Sequence, residues 1–524
     1  MTATAARDAR LARPSVPLLV ARVLRMEIRH SAFVWVIPLM ALLFFYDPFR
    51  TASGYANLWT LRTSVVLNKF WPDCVPFAAG FATWVGSREG RRNVGDLLGT
   101  TARAAWTRQL CSLAGTLAWV LGTFLAGVAA LYVATATAVT WGGPPIWPAV
   151  VGTVSLIAVC AFAFTLGALF PGRFTAPIVA VGILVLVLAV FSKAVSQGGV
   201  SVTSLSPDGL VPGNDAGIFY PVAPDVSIVQ VMFFAGAALG AVGLLGLSPR
   251  TGGVGWRGAL DPASAGGTRL RIVATAVFAA GVALAVAGFG LAATARVSSV
   301  TGNLEVPALH DSASDKAIPY APVCAEASGG FQVCVHPAYK NYLSQAVSSF
   351  SPVMAEVSGL PGAPVRAVEV FAQTLPADLL NANANGVVAG TPPVYKFTMA
   401  NAITLEPNAA QFRDGFQQDI VHSVIVGPAG KMVTTQQSGP VYQPDTGTAA
   451  QQAVVNGLLK AIGSASYPAG LSAGNPSAQL RQQQAEIATA ATRFAALPAT
   501  TRHAWLTANL AGLKAGRITL ADVP

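Results

Sequence analysis

Hydrophobic residues come along this chain in long blocks, at 31–46, 71–86, 111–138, 148–170, 174–195, 226–247 and 272–294. Most of the later blocks reach the roughly 20 residues needed to cross a hydrocarbon core, and the first two are shorter. The pattern predicts seven membrane spans. Before them, 17–29 sets Arg22, Arg25 and Arg29 on one helical face and Leu19, Val20, Val23, Leu24 and Met26 on another, which predicts an interfacial helix lying on a membrane leaflet. Residues 1–16 are rich in Ala and Arg without an apolar core and read as a disordered cytoplasmic tail. They do not read as a cleavable signal peptide, because no clear small-residue cleavage site follows the first apolar run.

Past Arg296 the long blocks stop and shorter periodic segments follow. These predict a hairpin at 322–335, a helix at 339–358, strands at 365–371 and 394–405, and helices at 408–426, 448–463, 478–497 and 500–515. The fold class expected is an α-helical integral membrane bundle followed by a mixed α+β domain. Its parts are a tail and interfacial helix (1–30), a six-span domain (31–250), a Gly-rich linker (251–271), a seventh span (272–296) and the added domain (297–524). The connection 196–225, rich in Gly, Pro, Ser and Asp, reads as an exposed irregular loop.

Composition agrees, with 53% hydrophobic and 11% charged residues, against about 25% charged in soluble domains. The net charge of +10 raises the question of nucleic acid. Its distribution answers it: residues 1–296 hold 21 Lys and Arg against 10 Asp and Glu, whereas 297–524 hold 12 against 13. The basic excess belongs to the membrane half, without a basic patch interleaved with aromatics, so no nucleic-acid partner is expected. Within that half, sixteen basic residues fall in alternate connections that begin with the amino terminus, and only Arg50, Arg62, Lys69 and Lys193 fall in the others. Positive charge stays cytoplasmic, so the amino terminus is expected inside and the domain 297–524 outside the cell. The spans show no Asp, Glu or His at mid-depth, which argues against an ion-coupled transporter.

Five cysteines occur. Cys111 and Cys160 fall within apolar blocks and read as small buried hydrophobes, and Cys74 lies near the outer end of a span. Cys324 and Cys334 flank AEASGGFQV, whose Gly329 and Gly330 are a hairpin signal. They are expected to form a disulfide, which requires an oxidising compartment.

The segment 87–110, SREGRRNVGDLLGTTARAAWTRQL, is the one charged, helix-forming stretch between early spans. Val94, Leu97, Leu98 and Thr101 share a helical face, and Arg91, Arg92 and Asp96 point elsewhere, so it reads either as a docking helix or as an ordinary positive loop. The order of an interfacial helix, two spans, a basic helix opening Arg88-Glu89-Gly90-Arg91-Arg92 and continuing Asp96-Leu97-Leu98, then four spans, resembles the membrane subunit of type-2 ABC exporters over 17–250. That resemblance implies a permease whose coupling helix, here Arg88, Glu89, Arg91, Arg92, Asp96 and Leu97, contacts a cytoplasmic ABC ATPase subunit. It implies a second permease subunit, surrounding lipid, and ATP with Mg held on the ATPase. No cofactor is expected on this chain, which has no G-x-x-x-x-G-K-[ST] loop; the nearest fragment, Gly430-Lys431-Met432, lacks the upstream glycine and the hydroxyl residue. The polar 196–225 departs from the family's hydrophobic re-entrant helices, and the seventh span and outer domain are additions to its pattern.

In the outer domain, Gln418-Asp419-Ile420-Val421-His422 weakly resembles the H-E-x-x-H word of gluzincin metallopeptidases. Gln418 then stands at the first ligand, Asp419 at the general base and His422 at the second ligand. Gln is a poor zinc ligand, Asp is a methylene short and no third ligand follows, so a degenerate fold or an unrelated helical domain is expected, with no catalytic residue and no metal. His310, His336 and His503 are isolated in sequence and read as surface or capping residues. Ser423 adjoins His422, and neighbours on a helix diverge, so they form no dyad. A binding or gating module fits best, with a membrane-anchored peptidase-like protein and a ligand-binding receptor as rivals to the exporter.

Overall fold

The computed structural model of the chain describes residues 16–30, 37–92, 105–197, 205–206, 216–248, 265–298, 300–301, 303–370, 386–388, 393–399, 409–427, 431–435, 439–443, 447–464 and 478–524. The first part is helical: α1 (Val16–His30), α2 (Ile37–Phe44), a π-helical turn (Phe45–Phe49) leading into α3 (Arg50–Gly54), then α4 (Trp59–Gly86), α5 (Arg88–Arg91), α6 (Ala105–Ala136), α7 (Ile146–Leu169), α8 (Thr175–Gln197), α9 (Ala216–Phe219), α10 (Asp225–Leu247) and α11 (Ala265–Ala292). Among the described residues four helical stretches are long and apolar enough to cross a membrane: Ala105–Ala136, Ile146–Leu169, Asp225–Leu247 and Arg269–Ala292. Thr175–Ala189 is apolar but shorter. The chain is a membrane protein with a helical bundle.

The second apolar block is placed too short by the sequence. Helix α4 begins at Trp59, not near 71, and carries Arg62 and Lys69, which the charge count assigns to a loop. Asp73 falls near its middle. Helix continues through Arg62 and Lys69 because both find partners. The Arg62 guanidinium donates to the carbonyls of Ser53 and Tyr55 at 3.0–3.2 Å. Lys69 Nζ lies 3.2 Å from Asp47 Oδ2, and the Thr51 hydroxyl donates to Asp47 Oδ1 at 2.7 Å. Asp47 reaches them from the π-helical turn, where Pro48 removes a backbone donor and the ladder widens.

Between apolar helices in lipid, attraction depends on close backbone approach. Helices α4 and α7 meet at a reciprocal pair of glycines. A Cβ on Gly86 would stand 2.2 Å from the Phe164 carbonyl oxygen, and one on Gly167 would stand 2.1 Å from that of Thr83. The Thr83 hydroxyl adds a bond to the Ala163 carbonyl at 3.0 Å. Helices α10 and α11 close the same way, with Gly236 against the Ala285 nitrogen and Gly281 against that of Gly240.

The remainder is the expected mixed domain. It opens with β1 (Arg296–Val297) and β2 (Leu304–Glu305), an antiparallel pair. Strands β3 (Val323–Glu326), β4 (Gln332–Val335), β5 (Arg366–Glu369), β6 (Gly386–Val388) and β7 (Val394–Phe397) form a sheet of order β3-β4-β5-β7-β6, parallel between β4, β5 and β7 and antiparallel at both edges. Helices α12 (Leu343–Val357), α13 (Ala409–Ile425), α14 (Ala449–Ala461), α15 (Ala478–Ala496) and α16 (Ala499–Lys514) match the predicted ones within a few residues. Helix α14 starts on a Thr448/Gln451 capping box and stops at Gly463, whose φ of +72° closes the last carbonyls. The pairing of Cys324 with Cys334 holds: they are direct cross-strand partners joined by a disulfide, and Gly329 and Gly330 turn the hairpin at φ +73°. Strand β6 and the hairpin of β8 (Lys431–Thr435) and β9 (Gly439–Gln443) are not foreseen by the pattern. Each is short, and β9 carries Pro440. Phe350, Tyr395, Phe397 and Phe416 centre the core, with Phe350 and Phe416 stacked at 5.2 Å.

Candidate functional site

The predicted coupling segment sits at one end of α4. Of 87–110, the structure describes 87–92, where α5 is a single turn, and 105–110, which are already the first residues of α6. Asp96 and Leu97 lie outside the described residues. Within α5 each position meets a different part of the bundle. Arg88 Nη2 lies 3.3 Å from Glu27 Oε1 on α1, and Glu89 Oε1 lies 3.7 Å from Arg108 Nε on α6. A Cβ on Gly90 would meet the Pro171 ring, between α7 and α8, at 2.5 Å. Arg91 folds back over α4, donating to the Trp84 carbonyl at 2.8 Å with its guanidinium 4.7 Å from the Trp84 ring. Arg92 is exposed.

Such part-exposed ion pairs contribute only about 0–1 kcal/mol each, so their importance is geometric. They join α1, α4, α6 and the α7–α8 corner at one turn. Helix α1 is held further by the Trp119 indole, which donates to the Ile28 carbonyl at 2.8 Å, and by Ser112 at 3.5 Å from Glu27. Glu27 is the residue that sequence reasoning passed over. Its signal was present, as the one acidic residue among the arginines of α1.

At the opposite end of α4 the bundle and the mixed domain share one continuous apolar core. Ala56, Leu58, Ile218 and Phe219 pack with the sheet and helices of the domain. The connection 196–225 is therefore not simply exposed: α9 buries Ile218 and Phe219. Polar contacts frame the junction. Thr140 donates to the Pro337 carbonyl at 2.7 Å, Asn341 to that of Ala138 at 2.8 Å, and the Asn57 nitrogen to the Tyr342 hydroxyl at 3.0 Å.

His336 lies at its centre and is fully buried; of the surface or capping role expected for it, the capping role holds, since its side chain caps the turn Pro337–Tyr342. The rings of Trp141, Phe219 and Tyr320 surround it at 5.0, 5.0 and 4.1 Å. Its Nδ1 accepts the Ala338 N–H at 3.1 Å, and burial pushes its pKa down to about 4, so the ring is neutral near pH 7. No sequence neighbour announces this role, because the enclosing rings come from three distant segments.

The metallopeptidase-like positions lie on α13. Gln418 and His422 are part-exposed, and Asp419 turns to the sheet, where the buried Tyr395 hydroxyl of β7 donates to its Oδ2 at 3.2 Å. The carboxylate at the general-base position thus braces the helix against the sheet. Burial raises its pKa from 3.8 to about 7, a shift the Tyr395 hydrogen bond opposes. An acid whose pKa is raised on folding adds stability below its unfolded value, lost as pH rises through the folded one. Asp419 should therefore make the wild-type protein less stable at pH 8 than at pH 5 by on the order of 2 kcal/mol relative to Asp419→Asn. Thermal unfolding of the two proteins at both pH values checks this, and identical pH profiles would refute it. His336 acts in the opposite sense between pH 4 and 6.5, which is why the difference between the two proteins is the quantity to read.

His503 is likewise not isolated: its Nδ1 lies 2.9 Å from the Glu356 carbonyl oxygen, linking α16 to α12. His310 stands among Asp225, Glu305 and Asp315. Compared with protein-family models, with curated proteins and with solved structures, the chain matches none.

Proposed function

We propose that the chain is the permease subunit of an ATP-binding cassette exporter, driven by a separate cytoplasmic ATPase and paired with a second permease subunit. Seven spans would place the amino terminus and α5 inside and the mixed domain outside. The observation that carries this reading is the α5 turn, where one basic segment touches α1, α4, α6 and the α7–α8 corner. A push received there reaches four parts of the bundle through short contacts, which is what a coupling element has to do. Arg88 and Glu89 serve that internal linkage, so among the described residues the position left for an ATPase is the exposed Arg92. The mixed domain, sharing a core with the α4 end, would move with the bundle and shape substrate exit.

Reversing Arg91 and Arg92 to Glu together is expected to reduce ATPase co-purification and export at least tenfold, while the protein still inserts to wild-type level. Arg92→Glu alone should reproduce most of the loss, because Arg92 is exposed and its change leaves the Arg91 contact on Trp84 intact. Unchanged association and unchanged export in both variants would return the segment to an ordinary positive loop.

A further inference from the structure

Two short strands follow the last apolar helix, and there the chain gathers charged groups that neither the bundle nor the domain core requires. Glu305 on β2, His310 and Asp315 bring one ligand atom each to within 4.8 Å of one another. His310 Nε2 is the common corner, 3.1 Å from Asp315 Oδ2 and 3.5 Å from Glu305 Oε2. Ligands about 2.0–2.1 Å from a tetrahedral zinc ion stand about 3.3–3.4 Å apart, a spacing the two edges bracket, the 3.1 Å one being a hydrogen bond that an ion would replace.

The surroundings are built for the same purpose. Arg296 Nε holds Glu305 Oε1 at 2.7 Å, which leaves Oε2 turned to the histidine. On the other side of the ring, Asp225 Oδ2 stands 3.6 Å from His310 Nδ1. Asp225 is 1% exposed at the first turn of α10; its Oδ2 accepts the Val306 N–H at 2.7 Å, and its Oδ1 has no hydrogen-bond partner. His310 Nδ1 and Asp315 Oδ1 are also buried without a hydrogen-bond partner. A carboxylate hydrogen-bonded to Nδ1 is the usual outer partner of a metal-bound imidazole; Asp225, which faces Nδ1 at 3.6 Å without bonding it here, is the group placed to take that role.

We propose that Glu305, His310 and Asp315 bind a divalent transition ion of the zinc class, with Asp225 orienting His310. Two carboxylates and a neutral imidazole balance the ion's charge, and the single nitrogen favours zinc over calcium or magnesium, which take oxygen ligands. The bound ion ties β2 to the segment 310–315, beside Asp225 at the start of α10, which already accepts the Val306 N–H. It therefore fastens the point at which the mixed domain joins the bundle, and the proposal stands independently of transport.

The test uses the full-length protein, purified in detergent, freed of metal with a chelator and titrated with Zn2+ alone. One saturable equivalent is expected, together with a rise in thermal midpoint and an X-ray absorption spectrum showing nitrogen and oxygen ligands without sulfur. His310→Ala and Asp315→Asn should each weaken binding at least tenfold, and Asp225→Asn about tenfold, the lower end of what outer partners contribute. His422→Ala, on α13, should leave it unchanged. Asp315 has a part-exposed side chain, so Asp315→Asn remains informative if His310→Ala fails to fold. Absence of saturable binding by folded wild type, affinity unchanged in Asp315→Asn, or sulfur ligation would overturn the site. Stabilisation by Ca2+ but not by Zn2+ would overturn the choice of ion.

Discussion

Alanine at Gly167 is expected to leave little correctly assembled protein in the membrane. The added methyl would stand 2.1 Å from the Thr83 carbonyl oxygen, an obstacle on a helix backbone that no rotamer change can relieve. Overpacking a well-filled interior costs about 1–3 kcal/mol where side chains can yield, and more is expected here, because α4 and α7 must separate along the seam. Separation would also break the bond from the Thr83 hydroxyl to the Ala163 carbonyl. Gly86→Ala should behave alike, since its methyl would meet the Phe164 carbonyl from the opposite helix. Gly122→Ala, within α6, is the control, since nothing lies within 4 Å of the new atom. Yield of monodisperse protein in detergent and its thermal midpoint are the measurements. Wild-type behaviour of Gly167→Ala would mean that α4 and α7 do not approach in this way.

The second large effect is expected from Arg502→Leu. Arg502 and Glu356 are each 6% exposed and form a two-armed ion pair between α16 and α12, with Nε to Oε2 at 3.0 Å. The same guanidinium donates to the carbonyls of Ala495 and Leu497, at the corner between α15 and α16. Removing it strands a buried carboxylate, which typically costs about 3–5 kcal/mol. The mixed domain should then lose much of its resistance to heat and to protease. Replacing both partners with Leu should recover part of the loss, because no unpaired charge remains, although the two carbonyls stay without their donor. A single variant as stable as wild type would show that the pair is open to water.

Glu356 and Arg502 also mark where sequence reasoning stops. They are far apart in the chain, and neither stands in a motif, so nothing local says that each will be buried against the other. The helices that carry them are foreseen within a few residues, because an apolar stripe every three to four positions is a local signal. The disulfide is legible for the same reason: Gly329 and Gly330 fix a turn, and the turn fixes which residues face each other. The strand order of the central sheet is not, since β4 pairs with β5 across α12 and β5 pairs with β7 past β6.

Length, hydrophobic periodicity and the placement of charge by themselves determined a helical membrane bundle followed by a mixed domain, since the energies behind those features act within a segment or between a segment and its solvent. The start of α4 escaped them. Arg62 and Lys69 lower the hydropathy of its first half, and their partners on the preceding turns let helix continue through them. Beyond the cap that His336 makes to Ala338, the surroundings of three histidines also came from the tertiary structure. His310 is gathered with three carboxylates from two chain regions, His336 is closed in by three rings, and His503 reaches the Glu356 carbonyl. An imidazole's protonation and ligation depend on what surrounds it within a few ångströms, and for all three that shell includes residues distant in sequence.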